Sequence, residues 1–374
     1  LVGSEMCIRD RVSLVAEIGD GNGPVVGFDG HEDIVALGDA AKWDADALSA
    51  KIADGKMFGR GTTDMKSGLM AGVFAMIHLK ENNVPLHGTL RLMATVGEEY
   101  GQFGARQLAE AGYAKDLDTL IVGEPSGVVK QAVATPQIQQ MLQINQDSAN
   151  KLMAANQTTE QHFIELAHKG SLTYTVSAQG VAAHSSMPEI GKNAIDSLLT
   201  FYQKQQAYFA TITDKKNPVL GATVSVVTLI QGGEQINTVP ASASISVKIR
   251  TIPEVPNTKL AADIQQLIDE LNANGEQLSL DIHSNLYPVH TADDAPVVKA
   301  AKEIGETDLQ QVLPLIGVPG GTDASSFVAV NPDIDVVVFG QGNITAHQVN
   351  EYVDLDMYHR FITIYEKMIT RLLA

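Results

Sequence analysis

The segment PVVGFDGHED, residues 24–33, runs from a short apolar stretch into three consecutive polar residues. The apolar stretch predicts a short strand that ends at the Asp-Gly pair. A helical stretch follows at residues 65–80 and opens with Asp64 in an N-cap-like position. A strand followed by a helix predicts an α/β fold.

The same alternation continues before and after the middle of the chain. The further predicted elements are strands at 89–96, 117–122 and 334–339 and helices at 105–111, 296–304 and 355–373. Strands that alternate with helices are typical of a mostly parallel sheet. We therefore predict a doubly wound first domain.

The middle of the chain follows another order. From residue 172 onwards the predicted elements run strand, helix, strand, strand, helix, strand. The third strand shows the pattern best, because Ile245, Val247 and Ile249 alternate with polar residues. The order βαββαβ predicts a ferredoxin-like α+β domain.

These patterns predict two domains, as expected for a chain of 374 residues of which 44% are hydrophobic. Residues 13–171 and 288–374 would form the first domain, with a helical insertion at 136–163. Residues 172–287 would form the second domain, inserted into the first. Residues 1–12 have no initial Met and no recognisable periodicity, and we interpret them as a non-native leader.

Charge and cysteine content exclude several functional classes. The 26 Lys and Arg against 44 Asp and Glu leave a net charge of -18, which would repel nucleic acid and anionic membrane surfaces. Cys7 is the single cysteine, which excludes an internal disulfide and a cysteine-based zinc site and indicates a reducing compartment. No apolar run reaches the roughly 18 residues needed to span a bilayer. We expect a cytoplasmic protein with a small-molecule partner.

Side chains that can bind metal ions are associated with five segments. These offer His31, Asp64, Glu98-Glu99, Glu124 and His347. Because open α/β sheets bind ligands at the carboxyl ends of their strands, we expect these groups at one edge of the sheet. Imidazole and carboxylate ligands suit zinc, cobalt or manganese, and two such ions promote hydrolysis. Taken singly, His31 could make only a local hydrogen bond and Asp64 could only cap its helix.

Glu98 and Glu99 are adjacent carboxylates that follow Gly97 at a predicted strand end. Two carboxylates in one cleft do not both ionise easily unless cations compensate, which favours one metal ligand and one general base. The stretch at 59–67 is not a phosphate-binding loop, because Met65 rather than glycine precedes its Lys-Ser pair. Nucleotide binding gains no support.

Seven short motifs follow one another in a characteristic order. They are GHED at 30–33, GRGTTDMK at 59–66, GEE at 97–99, GEP at 123–125, AHSS at 183–186, GGTD at 320–323 and AHQVNE at 346–351. Together they closely resemble the dinuclear-zinc aminoacylase and carboxypeptidase family, in particular its acetylornithine deacetylase and succinyl-diaminopimelate desuccinylase group. The resemblance covers about residues 13–374. It implies a zinc-peptidase-like catalytic domain with an inserted dimerisation, or lid, domain.

The resemblance implies a role for each candidate ligand. Asp64 would bridge two zinc ions, which cobalt could replace. His31 and Glu124 would complete the site of one ion, and Glu99 and His347 the site of the other.

The resemblance also implies three catalytic residues. Glu98 would be the general base, and Asp33 would fix the tautomer of the metal-bound histidine. His184 would reach the active site of a partner subunit, which implies a homodimer. Without the resemblance, His184 could simply cap the helix that opens near Asn193.

Four residues are expected to contact the substrate. Asn237 and Arg250 match family positions that hold the substrate's carboxylate, and Gly321 and Thr322 are the other two. A guanidinium suits bidentate binding of a carboxylate. The plain alternative for Arg250 is a surface residue of a strand.

The implied reaction is hydrolysis of the amide bond of an N-acyl amino acid. We expect N-succinyl-LL-diaminopimelate as the substrate, as in lysine biosynthesis, with N-acetylornithine of arginine biosynthesis as the alternative and a dipeptide or peptide third. A non-catalytic binding protein would lack the base or a ligand, and a structural zinc protein would lack the base. Too few residues precede His31 for the helix and strand usual in the family, so we expect the amino-terminal part to be missing.

Overall fold

The computed structural model describes residues 12–142 and 144–374, so the leader expected at 1–12 lies, except for Val12, outside the described residues. The chain divides into two compact units. The first comprises the chain up to His168 together with Val289–Val318 and Thr322–Ala374, and the second comprises Lys169–Pro288 and Pro319–Gly321.

Strands and helices alternate through much of the first unit, whereas the second unit follows the order strand, helix, strand, strand, helix, strand apart from one short strand pair. The strands are β1 Leu14–Gly19, β2 Val25–His31, β3 Lys51–Ala53, β4 Lys56–Phe58, β5 Thr89–Thr95, β6 Thr119–Val122, β7 Gly127–Val129, β8 Glu160–His162, β9 Ile164–His168, β10 Gly170–Gln179, β11 Lys216–Asn217, β12 Gly221–Ala222, β13 Val224–Gly232, β14 Ser242–Thr251, β15 Leu278–Leu286, β16 Val289–His290, β17 Leu315–Val318, β18 Asp335–Val338 and β19 Tyr352–Asp354. The α-helices are α1 Lys66–Glu81, α2 Phe103–Ala111, α3 Pro136–Leu142, α4 Gln146–Ala155, α5 Ala194–Ala210, α6 Asn257–Ala273, α7 Pro296–Leu309, α8 Ala324–Val328 and α9 Leu355–Leu372.

A central eight-stranded sheet organises the first unit. Its order is β1-β5-β2-β6-β18-β9-β16, and β17 also pairs with β9. The four inner strands β5, β2, β6 and β18 are parallel to one another. On either side of them, β1 pairs antiparallel with β5 and β9 pairs antiparallel with β18. The predicted α/β class with its parallel core is confirmed. The short sheet β19-β4-β3 was not predicted, because three-residue strands are too short to show a periodicity.

Helices cover both faces of this sheet. Phe28 and Ile121 are paired in register, so they point to the same face, where Tyr365 of α9 meets the Phe28 ring edge-on at a centroid distance of 4.8 Å. Leu120 and Val122 point to the opposite face and join a buried cluster with residues of α2 and α8. Burial on both faces explains why these strands are apolar runs rather than alternating patterns.

A close approach of two glycines fixes helix α1 against the end of β6. A Cβ atom on Gly68 would lie 1.9 Å from the carbonyl oxygen of Gly123. Backbone atoms cannot move far enough to relieve such a clash. Only glycine lets the helix approach so closely. The contact brings the start of α1 next to Glu124, which directly follows Gly123.

The second unit is a four-stranded antiparallel sheet with two helices. Its order is β13-β14-β10-β15, with α5 and α6 packed on the sheet and against each other. Ile245, Val247 and Ile249 of β14 are each at most 3% exposed, as their alternation indicated. The predicted βαββαβ order is confirmed, with the short pair β11-β12 between α5 and β13.

The segment at 136–163 has a small core of its own. It contains α3 and α4, and Ile138 and Ala149 are buried together with Val128, Phe163 and Ile316. Apolar residues at helical spacing therefore pack against β7 and β17. No helix among residues 12–142 and 144–374 is long and apolar enough to cross a membrane.

Candidate metal centre

Three neighbouring strand ends carry side chains that can bind metal ions. His31 is the last residue of β2, Glu98 and Glu99 follow β5, and Glu124 follows β6. Because β5, β2 and β6 are parallel neighbours in this order, their carboxyl ends lie at one edge of the sheet. His347 lies in the connection after β18, which is parallel to β6.

Two groups of side chains share Asp64. In one group, His31 Nε2 lies 3.1 Å from Asp64 Oδ1 and 3.4 Å from Glu124 Oε1. In the other, His347 Nε2 lies 3.1 Å from Asp64 Oδ2 and 3.0 Å from Glu99 Oε1. Within each group the potential ligand atoms lie within 4.8 Å of one another. Each oxygen of Asp64 faces one histidine, as a carboxylate that bridges two ions requires.

Asp64 does not cap helix α1. No side chain caps the first turn of that helix. The backbone N–H of Asp64 instead donates to Glu351 Oε1 at 3.1 Å, and those of Gly61 and Thr63 donate to the same oxygen at 3.0 and 2.9 Å. One buried carboxylate oxygen therefore holds the loop that presents Asp64.

The other oxygen of Glu351 connects this loop to His347. It forms a buried ion pair with Arg60, whose Nη2 donates to the carbonyl of His347 at 3.2 Å. His347 has a left-handed backbone with a φ of 65°, which a non-glycine residue adopts at a cost of roughly 1–2 kcal/mol. Arg60 lies in the motif at 59–66 and Glu351 in the motif at 346–351. The sequence did not indicate that they pair, because they are 291 residues apart.

The carboxylate of Asp33 holds the loop that carries Glu98 and Glu99. Its Oδ1 accepts hydrogen bonds from the N–H groups of Gly97 at 2.8 Å and Glu98 at 3.1 Å, and its Oδ2 accepts one from Glu99 at 3.2 Å. His31 Nδ1 lies 3.1 Å from the backbone carbonyl of Asp33 and 3.5 Å from its carboxylate. Besides contacting the imidazole, Asp33 thus positions a loop that the spacing of the motifs did not reveal.

Burial and charge shift the pKa values of the candidate ligands. Burial, with the charge of Asp64, raises the pKa of Glu124 to about 7. Burial alone would raise the pKa of Asp64, but hydrogen bonds with His31 and His347 bring it below its usual range. The hydrogen bond with Asp64 raises the pKa of His347 to about 9. Two histidines and three carboxylates, without a thiolate, form a donor set that fits divalent cations, which would replace these protons.

Glu98 belongs to neither group of ligands. Burial raises its pKa well above the usual range, and the charges of Asp323 and Glu124 raise it further. Burial also raises the pKa of Asp323 to about 6, although the hydroxyl of Thr95 donates to it at 2.5 Å. A carboxyl group with a raised pKa beside candidate metal ligands is suited to proton transfer.

Asp29 is a further buried carboxyl group, which the sequence did not indicate. It lies in β2, is 1% exposed, and neither of its oxygens has a hydrogen-bond partner among the described residues. Burial raises its pKa, and the charge of Asp323 adds to the shift. Its position within an apolar strand gives no sequence signal of a functional residue.

Four of the predicted site residues lie in the second unit. His184 and Gly321 are exposed, as is Asn237, whereas Arg250 is half-buried in β14. His184 does not cap helix α5, because the side chain of Asn193 caps it by accepting from the N–H of Ile195 at 3.0 Å. The plain alternative for His184 is therefore wrong.

Thr322 is described with the first unit. It is 8% exposed, and its hydroxyl lies 3.2 Å from His168 Nε2. Its carbonyl accepts a hydrogen bond from Gln102 Nε2 at 2.6 Å. These contacts hold the start of α8, where Asp323 is located.

Glu160 connects the segment at 136–163 to the loop before Asp64. Its Oε1 accepts from Asn343 Nδ2 at 2.9 Å, and the N–H of Asn343 donates to the hydroxyl of Thr63 at 2.8 Å. Burial, with the charge of Asp354, raises the pKa of Glu160 to about 8. Glu160 is therefore protonated in the folded chain at neutral pH.

Replacing Glu160 by glutamine is expected to remove a loss of stability at high pH. The ordinary pKa of 4.5 applies to the unfolded chain and a pKa of about 8 to the folded chain, so stability falls as the pH rises through this range. One proton contributes a slope of at most about 1.4 kcal/mol per pH unit. Urea unfolding should show that the free-energy difference between Glu160→Gln and the parent grows with pH. The exposed control Glu110→Gln should show the same pH dependence of the unfolding free energy as the parent. The same result for Glu160→Gln would contradict the raised pKa of Glu160.

The chain is similar to known proteins over most of its length. Residues 27–371 match the family described as peptidase family M20/M25/M40. A Staphylococcus aureus (strain MSSA476) protein named "probable succinyl-diaminopimelate desuccinylase" is 37% identical over 384 residues, which cover 96% of this chain and 85% of the relative.

Two solved structures share the fold. The M20 family metallo-carboxypeptidase Sso-CP2 from Sulfolobus solfataricus has a TM-score of 0.70 and 19% identity, and the match covers 96% of this chain and 87% of that one. The YXEP protein of Bacillus subtilis, described as a dinuclear metal binding peptidase from the M20 family, has a TM-score of 0.64 and 16% identity, with 96% and 85% covered.

Proposed function

The chain belongs to peptidase family M20/M25/M40, and from this premise we propose that it is a metal-dependent hydrolase of an N-acyl amino acid, namely N-succinyl-LL-diaminopimelate. The hydrolytic part of this proposal rests mainly on one observation, which is that two ligand groups share Asp64 and that the half-buried Glu98 lies in the same cluster of charges. The name of the relative with 37% identity supports the choice of substrate. The products would be succinate and LL-diaminopimelate.

Two zinc ions would be held by the two groups, with cobalt as a possible replacement. His31 and Glu124 would hold one ion, Glu99 and His347 the other, and Asp64 both. When bound, such ions supply Lewis acidity, which polarises the amide carbonyl and makes water a stronger acid.

Glu98 would move the proton in this reaction. Its carboxylate accepts a proton from the attacking water and returns it to the nitrogen of the leaving amine, so that one water is consumed for each amide bond broken. The hydrogen bonds from the loop N–H groups to Asp33 keep Glu98 in place. A fixed base avoids the loss of rate that even a small displacement causes.

Residues of the second unit would bind the anionic parts of the substrate. Arg250 suits a carboxylate, and Lys169 is a second cation of this unit, whose pKa is lowered by burial and further by the charge of Arg250. Asn237 and Gly321 of this unit and Thr322 of the first unit would add hydrogen bonds. In a chain with a net charge of -18, a local pair of cations is needed to attract a dianionic acyl amino acid.

A homodimer would form through the edge strand β13. This strand pairs with β14 alone within the part of the chain that the structure describes. Val226, Leu229 and Ile230 on it are 52–61% exposed. An unpaired edge with exposed apolar side chains favours pairing with a second copy of the same strand. His184 would then serve the active site of the partner.

Mixed dimers test this role of His184. His184→Ala alone is expected to reduce turnover without loss of metal, because the residue would stabilise charge rather than bind an ion. A dimer with one His184→Ala subunit and one Glu98→Ala subunit should regain about half the activity of the parent dimer, because one of its two sites would then have both Glu98 and His184. Mixed dimers isolated with two affinity tags measure this. If activity is not recovered, the proposal of a site shared between subunits is wrong, whereas the proposed hydrolase activity is unaffected.

The substrate is tested by competing hydrolysis reactions. Zinc-loaded protein should release succinate from N-succinyl-LL-diaminopimelate faster than it cleaves N-acetylornithine or a dipeptide, and a chelator should stop the reaction. Preference for N-acetylornithine would move the assignment to deacetylation, and cleavage of the dipeptide alone would move it to peptidase activity.

A further inference from the structure

A cavity of about 400 Å³ lies behind the loop that presents Asp64, and none of the five candidate metal ligands lines it. It is formed by residues near β4 and β19 and by the first turns of α1 and α9. Its apolar walls are provided by Leu48, Met57, Met70, Val353, Leu355 and Tyr358. The volume is that of a site for a small organic molecule.

Two polar residues of the cavity lining have buried atoms without hydrogen-bond partners among the described residues. Arg60 is 6% exposed and Ser67 is 9% exposed, and both line the cavity. Arg60 Nε and Ser67 Oγ are buried, and neither has a hydrogen-bond partner among the described residues. A buried donor without a partner costs about 1–3 kcal/mol, so such groups indicate a place for a ligand that accepts hydrogen bonds.

The lining also includes positively polarised groups. It contains the N-terminus of the 16-residue helix α1, which has no side-chain cap and no acidic residue in its first turn. Lys66 lines the cavity, is exposed and has no ion-pair partner within residues 12–142 and 144–374. No Asp or Glu of the described chain lines the cavity. An anionic group is thus favoured there.

The available charge determines the kind of anion. The charge of Arg60 is already neutralised by Glu351, which leaves the ammonium group of Lys66 to balance the ligand. One cation, an N–H and a hydroxyl match a head group with a single negative charge and two acceptor oxygens. We propose that the cavity behind the Asp64 loop binds a small amphipathic monocarboxylate, with its head at Arg60, Lys66 and Ser67 and its body against the apolar lining residues.

Trp43 provides a direct readout of binding. It is the single tryptophan of the chain, and the guanidinium carbon of Arg60 lies 5.4 Å from the centre of its ring. A carboxylate that binds Arg60 Nε changes the charge beside the indole. Tryptophan fluorescence and calorimetry therefore report occupancy without any measurement of turnover, so failure here is distinct from failure of the proposed function.

The test uses octanoate as the probe and the metal-loaded full chain. We expect saturable binding with a Kd on the order of 0.1 mM and a change in Trp43 fluorescence. Octanol lacks the charge and acetate lacks the apolar body, so each should bind at least about tenfold more weakly. No saturable octanoate binding, or equal binding of octanol, would overturn the proposal.

Three variants locate the bound probe. Met70→Glu and Leu48→Glu add a carboxylate at residues that are 41% and 63% exposed, and each should weaken octanoate binding at least about tenfold by charge repulsion. Ser67→Ala should weaken binding without lowering the unfolding temperature, since it removes a hydroxyl that has no partner. Val330→Glu, at a 40% exposed position away from the cavity, is the charge control and should bind normally. Unchanged binding in both cavity glutamate variants would place octanoate elsewhere and overturn the proposal.

Discussion

Glu98→Ala is expected to lower turnover of N-succinyl-LL-diaminopimelate by about 10²–10⁴-fold while the metal content stays at the parent level. Glu98 is absent from both ligand groups around Asp64, so its removal leaves every candidate metal donor in place. The loss should appear in kcat rather than in KM, because a proton-transfer group acts in the transition state.

The measurement is kcat together with metal analysis of the same sample. Glu110→Ala, at an exposed position of α2, removes the same side chain outside both ligand groups and should retain full activity. Retained activity in Glu98→Ala would remove the general-base assignment. Loss of metal in that variant would instead make Glu98 a ligand.

Asp64→Ala is expected to affect both metal sites at once. Asp64 is the one residue that both described ligand groups contain, and its two oxygens each lie 3.1 Å from a different histidine. Loss of a residue that merely orients a ligand already weakens metal binding by about 10–100-fold, so loss of a shared ligand should exceed about 100-fold. Activity should fall to background.

Metal stoichiometry separates this result from the loss of one site. Glu124→Ala and Glu99→Ala each remove a ligand from a single group, so each should weaken one ion more than the other. Asp214→Ala, an exposed carboxylate of the second unit, is the matched control and should bind normally. Undiminished binding of one ion by Asp64→Ala would contradict a bridging role.

Local patterns were sufficient for the class of fold and for much of the element order. The alternation of Ile245, Val247 and Ile249 predicted a half-buried strand, and the structure confirms it in β14. The apolar run at 24–28 predicted a short strand, which is β2. Three-residue strands such as β3 and β4 stayed invisible, because a periodicity needs more residues than they contain.

The sequence by itself determined which chemical groups are available and that most of them follow strands. His31, Glu99 and Glu124 were predicted at strand ends, because the start and end of a strand are visible in local composition. Their roles as ligands stay predictions. The lack of a second cysteine and the net charge of -18 were equally determined, since neither depends on folding.

Only the tertiary structure decided how these groups meet. Asp64 has the sequence position of a helix cap, yet its loop is bound by Glu351 from the far end of the chain. Asp33 holds the loop after β5, and Arg60 joins Glu351 behind the ligands. Such pairings depend on strand order and helix packing, which bring residues hundreds of positions apart within hydrogen-bond distance. The local hydrophobic pattern indicates which face of an element is buried, but it does not indicate which distant residues will contact that element.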